Sequence, residues 1–333
     1  MRRSLGRGVA ALDRAALSLR RWSWLIRSST KAAMGTSFSS AAEGASVLSG
    51  GEEASAEFVK RHDAFIFDCD GVLWHGARGI EGAREAILSL RASGRKVLFV
   101  TNNSTKARED YVQTFRERLD LEVRQEDVIA ASWAAAAYLK QCSDPRASKP
   151  KIMLIGMSGL TKELSFAGYE VLGGPAFNGK TVEDLERELD FEHLDEDVGT
   201  VVTGLDKDLN YYKVAMAAAY VQKGCLFVAS NTDATLPMKP NGTFGPGAGL
   251  SSAAVLNTAG RDAVDAVAGK PSALLGATVC ETFGLDPSRT CMVGDRLDTD
   301  MLFAYNAGFS KLLVLSGVVG QTDVDKNSDA KTT

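Results

Sequence analysis

Apolar and polar positions fall along the chain in alternating blocks. Residues 64–67 form a short unbroken apolar run that ends in two carboxylates, the pattern of a buried strand entering a loop. In 83–92, Ala86, Ile87 and Leu90 recur at helical spacing. A second buried strand is predicted at 96–100, an amphipathic helix at 107–119, a third strand opening at 128–129 and a helix at 133–139. Pro145 and Pro150 then break the pattern. A second series follows, with strands at 152–155, 198–203 and 225–229, a helix at 209–221 and another containing 255–258. The run 290–293 again ends in Gly-Asp, and 312–315 is the last apolar run. Strands alternating with helices predict an α/β fold with a mainly parallel sheet. Such sheets bind ligands beyond the carboxyl ends of their strands.

Composition adds a division of charge. The chain has 333 residues, 45% of them hydrophobic, enough for more than one domain. Residues 1–42 hold eight Arg or Lys (Arg2 to Lys31) against one acid, Asp13, whereas the remainder holds 30 basic and 41 acidic residues. A leader rich in Arg, Ser and Ala reads as an organelle transit peptide. The apolar stretch at 22–26 is too short for a secretory signal and is cut by Arg27. Residues 46–56 read as a linker, with order beginning near Phe58. The acidic body argues against a nucleic-acid partner, and no apolar run approaches the roughly 20 residues of a membrane span. The five cysteines are scattered without a C-x-x-C pair, which argues against a disulfide framework or a zinc site.

Four polar clusters carry the candidate chemistry. DCDGVLW starts at Asp68 and places Asp70 two residues on, so both carboxylates share a face in extended backbone. Like charges that close call for a cation or a proton between them. TNNS (Thr101, Asn102, Asn103, Ser104) offers hydroxyls, amides and backbone N–H groups ahead of a helix, which suits a phosphate. GKPS supplies Lys270 as a point charge, and GDRLDTD adds Asp295, Asp298 and Asp300. Hard oxygen donors of this kind suit Mg²⁺. Each cluster alone could be a cap or a turn; all four in this order form a joint signal.

That order, DxDG, then T-N-N, then Lys, then GD with a later Asp, resembles the haloacid dehalogenase-like phosphatases over roughly residues 65–316. The fuller strings are similar to the branch containing phosphoglycolate, pyridoxal and 4-nitrophenyl phosphatases. The resemblance implies a Rossmann-like parallel-sheet core with an inserted α/β cap domain. It implies Asp68 as nucleophile, Asp70 as general acid and base, and Mg²⁺ held by Asp68, the Asp70 carbonyl and Asp295, with Asp300 in support and Asp298 a weaker candidate. Thr101, Asn102, Asn103 and Lys270 are the implied substrate-binding residues. The chemistry is demanding, since accelerations of phosphate-monoester hydrolysis reach about 10²¹, and splitting the displacement into two steps lowers each barrier.

Spacing locates the specificity. Asp68 and Thr101 are 33 residues apart, too close for a large insertion, whereas Thr101 and Lys270 are 169 apart. The expected divisions are 1–57 transit peptide and linker, 58–143 core, 144–262 cap, 263–316 core and 317–333 a polar tail that adds no buried strand. By resemblance the family continues there with a strand and a helix, which points to a truncated or alternatively spliced product. A catalytically silent phosphate- or metal-binding protein is the alternative class. By resemblance, pyridoxal phosphatases carry a His where Asp233-Ala-Thr-Leu236-Pro237 has Leu236. That favours a small anionic substrate such as 2-phosphoglycolate, with pyridoxal phosphate or broad 4-nitrophenyl phosphatase activity as alternatives. The expected partners are a small phosphorylated metabolite and, by resemblance, a second copy of the chain. The expected location is the chloroplast, with mitochondrion or cytoplasm as alternatives. Cys69, between the two carboxylates, reads as a small buried side chain, with a redox role as the sharper alternative. His75 lacks a serine-nucleophile motif, and 245–249 (GPGAG) lacks the Lys-Ser/Thr of a nucleotide loop.

Overall fold

The computed structural model describes residues 51–188, 193–237 and 243–332. The transit-peptide reading of the first 50 residues lies outside that range. The chain divides into two compact units. One takes the described residues through Val100, Phe115–Val123 and Gly276 onward; the other takes Thr101–Thr114 and Arg124–Leu275. No helix among the described residues is long and apolar enough to cross a membrane.

The first unit is built on parallel strands in the order Ser310–Leu313, Thr290–Gly294, Ala64–Phe67, Lys96–Thr101. Phe65, Ile66 and Phe67 are fully buried, which is why their run has no polar alternation. Phe99 and Phe115 pack with tilted rings, centroids 4.4 Å apart, and Trp74 meets Phe115 edge-on at 5.0 Å. Burying an aromatic of this size is worth about 1.5–3 kcal/mol. Gly51–Arg61 is a helix, where part of this stretch was expected to be a linker. Ser55 and Val59 are buried on it, Arg61 pairs with Glu57 at 2.6 Å, and Lys60 and Arg61 complement its C-terminal dipole. The polar tail folds too: Gln321–Lys326 is a helix, Lys331 lies over the Tyr305 ring, and no strand follows Ser310–Leu313 among the described residues.

The second unit has its own five-stranded parallel sheet, in the order Ala266–Val267, Leu226–Ala229, Val198–Thr203, Lys151–Ile155, Glu170–Gly173. Met153, Ile155, Val201 and Phe227 pack with Tyr212, Met216 and Tyr220 of the helix Tyr211–Gln222 to make its core. The unit is wider than the expected 144–262 insertion. Ala266 and Val267 pair with Val228 and Ala229, which ties residues after 262 to this sheet rather than to the core sheet. On the other side, Gly159 packs so tightly on Lys106 that a Cβ would lie 2.3 Å from that residue's carbonyl carbon. Lys162 donates to Glu109 and Asp110 at 2.9 Å each, and Glu163 accepts from the Arg108 backbone at 2.7 Å. The segment Thr101–Thr114 therefore travels with the second unit.

Candidate active site

In the first unit, the strands Ala64–Phe67 and Thr290–Gly294 lie side by side and run in the same direction. Their carboxyl ends therefore deliver Asp68 and Asp295 together. One carboxylate oxygen each from Asp68, Asp295 and Asp300 falls within 4.8 Å of the others, and all three residues are buried. Buried like charges so close disfavour one another strongly unless a cation joins them. An all-oxygen donor set is the kind Mg²⁺ takes, so the residues present fit the ion the sequence implies.

The acid cluster is held from several sides. Asp300 Oδ2 accepts from the Asp295 and Arg296 backbone N–H groups at 3.0 and 3.1 Å. Asp295 Oδ2 accepts from the Val318 N–H at 2.7 Å, and its carbonyl from Val319 at 3.2 Å. A Cβ on Gly317 would sit 1.7 Å from Asp295 Oδ2, and one on Gly71 only 2.4 Å from it. Gly71 also has φ +86°, a conformation few side chains tolerate. Ser316 Oγ donates to the Gly71 carbonyl at 2.6 Å and closes the cradle. Sequence reasoning missed Gly317 and Val318, placing them in the tail; the Gly-rich step after the last apolar run was the available signal. Asp298 turns away and pairs with Arg296 at 2.8 Å.

Asp70 is exposed, unlike Asp68. Its Oδ1 accepts from the Trp74 indole N–H at 2.9 Å, which fixes where the carboxyl points. Between them, Cys69 is fully buried, and its carbonyl accepts from Leu73 at 2.8 Å in the turn that presents both acids. The small buried reading of Cys69 accounts for these contacts.

The second unit gathers the other implied residues. Thr101 ends its strand buried, and its Oγ1 accepts from the Asn103 N–H at 3.1 Å. Asn103 Oδ1 accepts from the Thr105 N–H and hydroxyl at 3.0 and 2.7 Å, so its side chain shapes the loop. Asn102 meets Lys270 across 168 residues of sequence: its Oδ1 accepts from the Lys270 N–H at 2.9 Å. Asn231 and Asp233, which sequence reasoning did not place in the site, join them. Asn231 Nδ2 donates to the Asn102 carbonyl at 2.7 Å, and Asn102 Nδ2 reaches both Asp233 oxygens at 3.3 Å.

The chain is similar to several known proteins. Residues 65–170 match the family described as haloacid dehalogenase-like hydrolase, and residues 267–333 match the family described as HAD-hydrolase-like. The chain is 43% identical over 268 residues to the chloroplastic phosphoglycolate phosphatase 1A of Arabidopsis thaliana, covering 80% of this chain and 72% of that one. It resembles the crystal structure of the 4-nitrophenylphosphatase of Thermotoga maritima with a TM-score of 0.68 and 28% identity, over 82% of this chain and 93% of that one. The glycerol phosphate phosphatase of Mycobacterium tuberculosis in complex with magnesium gives a TM-score of 0.67 at 28% identity, over 82% and 74%. The carboxylate cluster, the loop with Lys270 and these likenesses agree: the chain belongs to the haloacid dehalogenase-like hydrolases and is a phosphatase of small phosphate monoesters.

Proposed function

We propose that this phosphatase hydrolyses 2-phosphoglycolate to glycolate and phosphate, with Mg²⁺ and through an aspartyl-phosphate on Asp68. The convergence of Asp68, Asp295 and Asp300 within 4.8 Å carries the catalytic part of this reading. Asp68 Oδ attacks phosphorus and forms the new P–O bond, while the bond to the leaving alkoxide breaks. Asp70 gives that alkoxide its proton. Asp70 then takes a proton from water as the water oxygen attacks phosphorus and the bond to Asp68 breaks. Thr101, whose oxygen accepts from Asn103, still has its hydroxyl hydrogen to donate to a phosphoryl oxygen. Lys270 neutralises phosphoryl charge. Mg²⁺, held by Asp68, Asp295 and the Asp70 carbonyl with Asp300 behind them, supplies the positive charge that lets an anionic nucleophile meet an anionic ester.

The substrate assignment is supported by the 43% identity to a chloroplastic phosphoglycolate phosphatase. It is supported also by Leu236, which stands on the ribbon Thr235–Pro237 opposite Gly245, where the pyridoxal-phosphate branch carries a histidine. The second unit, with the insertion 144–262 at its centre, serves as the cap that reads the leaving group. The basic leader and the same relative support a chloroplast location. The test is a panel of 2-phosphoglycolate, glycerol 3-phosphate, pyridoxal phosphate and 4-nitrophenyl phosphate, each with Mg²⁺ and with chelator. The expected result is the highest kcat/KM on 2-phosphoglycolate, lost with chelator. A clear preference for another ester overturns the substrate, and folded protein inert on all four overturns the catalytic reading.

A further inference from the structure

Lys270 is 2% exposed, and its backbone is gripped by one side chain. The Asn102 amide accepts from the Lys270 N–H with Oδ1 at 2.9 Å and donates to the Lys270 carbonyl with Nδ2 at 3.1 Å. This is a two-pronged clamp on both polar groups of one residue. The second Nδ2 hydrogen faces the Asp233 carboxylate, with both oxygens at 3.3 Å. These partners allow only one orientation of the amide. Flipped, it would set an oxygen against a carboxylate and a carbonyl, and an NH₂ against an N–H.

The neighbours hold the clamp in place. Asn231 Nδ2 donates to the Asn102 carbonyl at 2.7 Å, and Asn231 Oδ1 accepts from the Asp233 N–H at 3.1 Å. Asn231 is buried. A Cβ on Gly269 would lie 2.8 Å from Asn102 Oδ1 and 2.5 Å from the Ser230 carbonyl, so the backbone before Lys270 can come this close only as glycine. Three loops separated in sequence thus meet at one amide.

We propose that the Asn102 side chain is a positioning residue for Lys270, oriented by the Asp233 carboxylate, rather than a direct ligand of the phosphate. The proposal rests on the reading of Lys270 as a phosphate-binding cation. It makes a specific demand on charge. Asn102→Asp sets a carboxylate against Asp233 and loses the prong to the Lys270 carbonyl, whereas adding Asp233→Asn restores a donor facing a carboxylate.

The experiment compares the full chain with the single variants Asn102→Ala, Asn102→Asp and Asp233→Asn and with the double variant Asn102→Asp/Asp233→Asn. Two readouts are taken: kcat/KM on 4-nitrophenyl phosphate, and calorimetric affinity for inorganic phosphate with Mg²⁺ present. Thermal unfolding identifies folded variants. Asn102→Asp is expected to weaken phosphate binding by about tenfold or more and kcat/KM by roughly a hundredfold, as a displaced charge-assisted contact would. The double variant is expected to recover at least about tenfold of that kcat/KM, the coupling that residues in contact show. A double variant no better than Asn102→Asp overturns the proposal. So does Asn102→Ala with wild-type phosphate affinity and wild-type kcat/KM, and this variant decides if the charged ones do not fold. If the wild type turns over no ester, the phosphatase reading fails separately, and the phosphate affinities still judge the clamp.

Discussion

The first unit's strands and the second unit's sheet are both parallel, and both are packed with apolar side chains. Their carboxyl ends carry different chemistry. In the first, Asp68, Asp295 and Asp300 crowd within 4.8 Å. In the second, Asp206 follows the strand Val198–Thr203, and the fully buried Lys213 meets it at 2.7 Å with side-chain exposures of 0% and 1%. Lys213 Nζ also donates to Asn178 Oδ1 at 2.6 Å and to the Asp208 carbonyl at 3.2 Å, so the ammonium has an oxygen for each of its three hydrogens. One unit settles a buried acid with a lysine of its own. The other concentrates acids and so calls for a metal cation. The proposed nucleophile thus belongs to one unit and the proposed phosphate-binding residues to the other, each with a different repair of its charge.

The largest effect is expected at Asp68, the proposed nucleophile. Asp68→Asn keeps the shape of the side chain but removes the attacking anion, and kcat is expected to fall by roughly 10⁴-fold or more. Acid quenching of the wild type with labelled ester should trap phosphate on protein, and Asp68→Asn should trap none. Retained turnover by Asp68→Ala would sink the assignment.

The matching break in the second unit concerns stability. Lys213→Met leaves the Asp206 carboxylate buried without its partner, which costs about 3–5 kcal/mol. Urea unfolding monitored by fluorescence should show that loss. The double variant Lys213→Met/Asp206→Leu should recover most of it, because a well-packed apolar pair removes the stranded charge. Equal stability of Lys213→Met and wild type would show that the pair does not anchor this unit.

Gly317→Ala sharpens the comparison at the carboxylate cluster. Its Cβ would fall 1.7 Å from Asp295 Oδ2, so the carboxylate or the turn must move. The expected result is a roughly ten- to hundredfold weaker affinity for Mg²⁺, the usual effect of disturbing the groups behind a metal ligand. Calorimetric titration with Mg²⁺ reads this without turnover, and unchanged affinity would clear the turn of any such role.

Much of this was legible in the sequence because an apolar run ending in carboxylates is a strong local signal. Asp68 and Asp295 could be placed at strand ends from their own neighbours. The supports could not, since they depend on contacts across the fold. Val318 and Gly317 reach Asp295 from a stretch that reads as polar tail, and Asn102 finds Lys270 168 residues away. Lys213 sits on the largely apolar helix Tyr211–Gln222, and its local sequence does not name its partners Asp206 and Asn178. The edge strand Glu170–Gly173 was missed because its exposed and half-buried positions lack the apolar run of the central strands. The helix Gly51–Arg61 was read as linker for a similar reason: it packs by a few small and apolar positions in a polar stretch.

The smallest expected effect tests whether the first unit carries any pH dependence away from its acids. His62 Nδ1 lies 2.8 Å from the Phe58 carbonyl and must donate to it, so Nε2 of the neutral ring accepts from the Ser310 hydroxyl at 2.8 Å. Burial holds this imidazole below its ordinary value of 6.5; the Phe58 carbonyl raises it, Arg289 and Arg61 lower it and Asp63 raises it. A base depressed in the folded state binds protons more readily when unfolded. Its contribution is therefore intact above the unfolded value and is lost as pH falls from 6.5 towards the lower folded value. Melting curves between about pH 7.5 and 5.5 should show the wild type losing Tm with acid, and His62→Gln should flatten that slope by about 1–3 °C over the range. If His62→Gln keeps the wild-type slope, His62 carries none of the acid sensitivity.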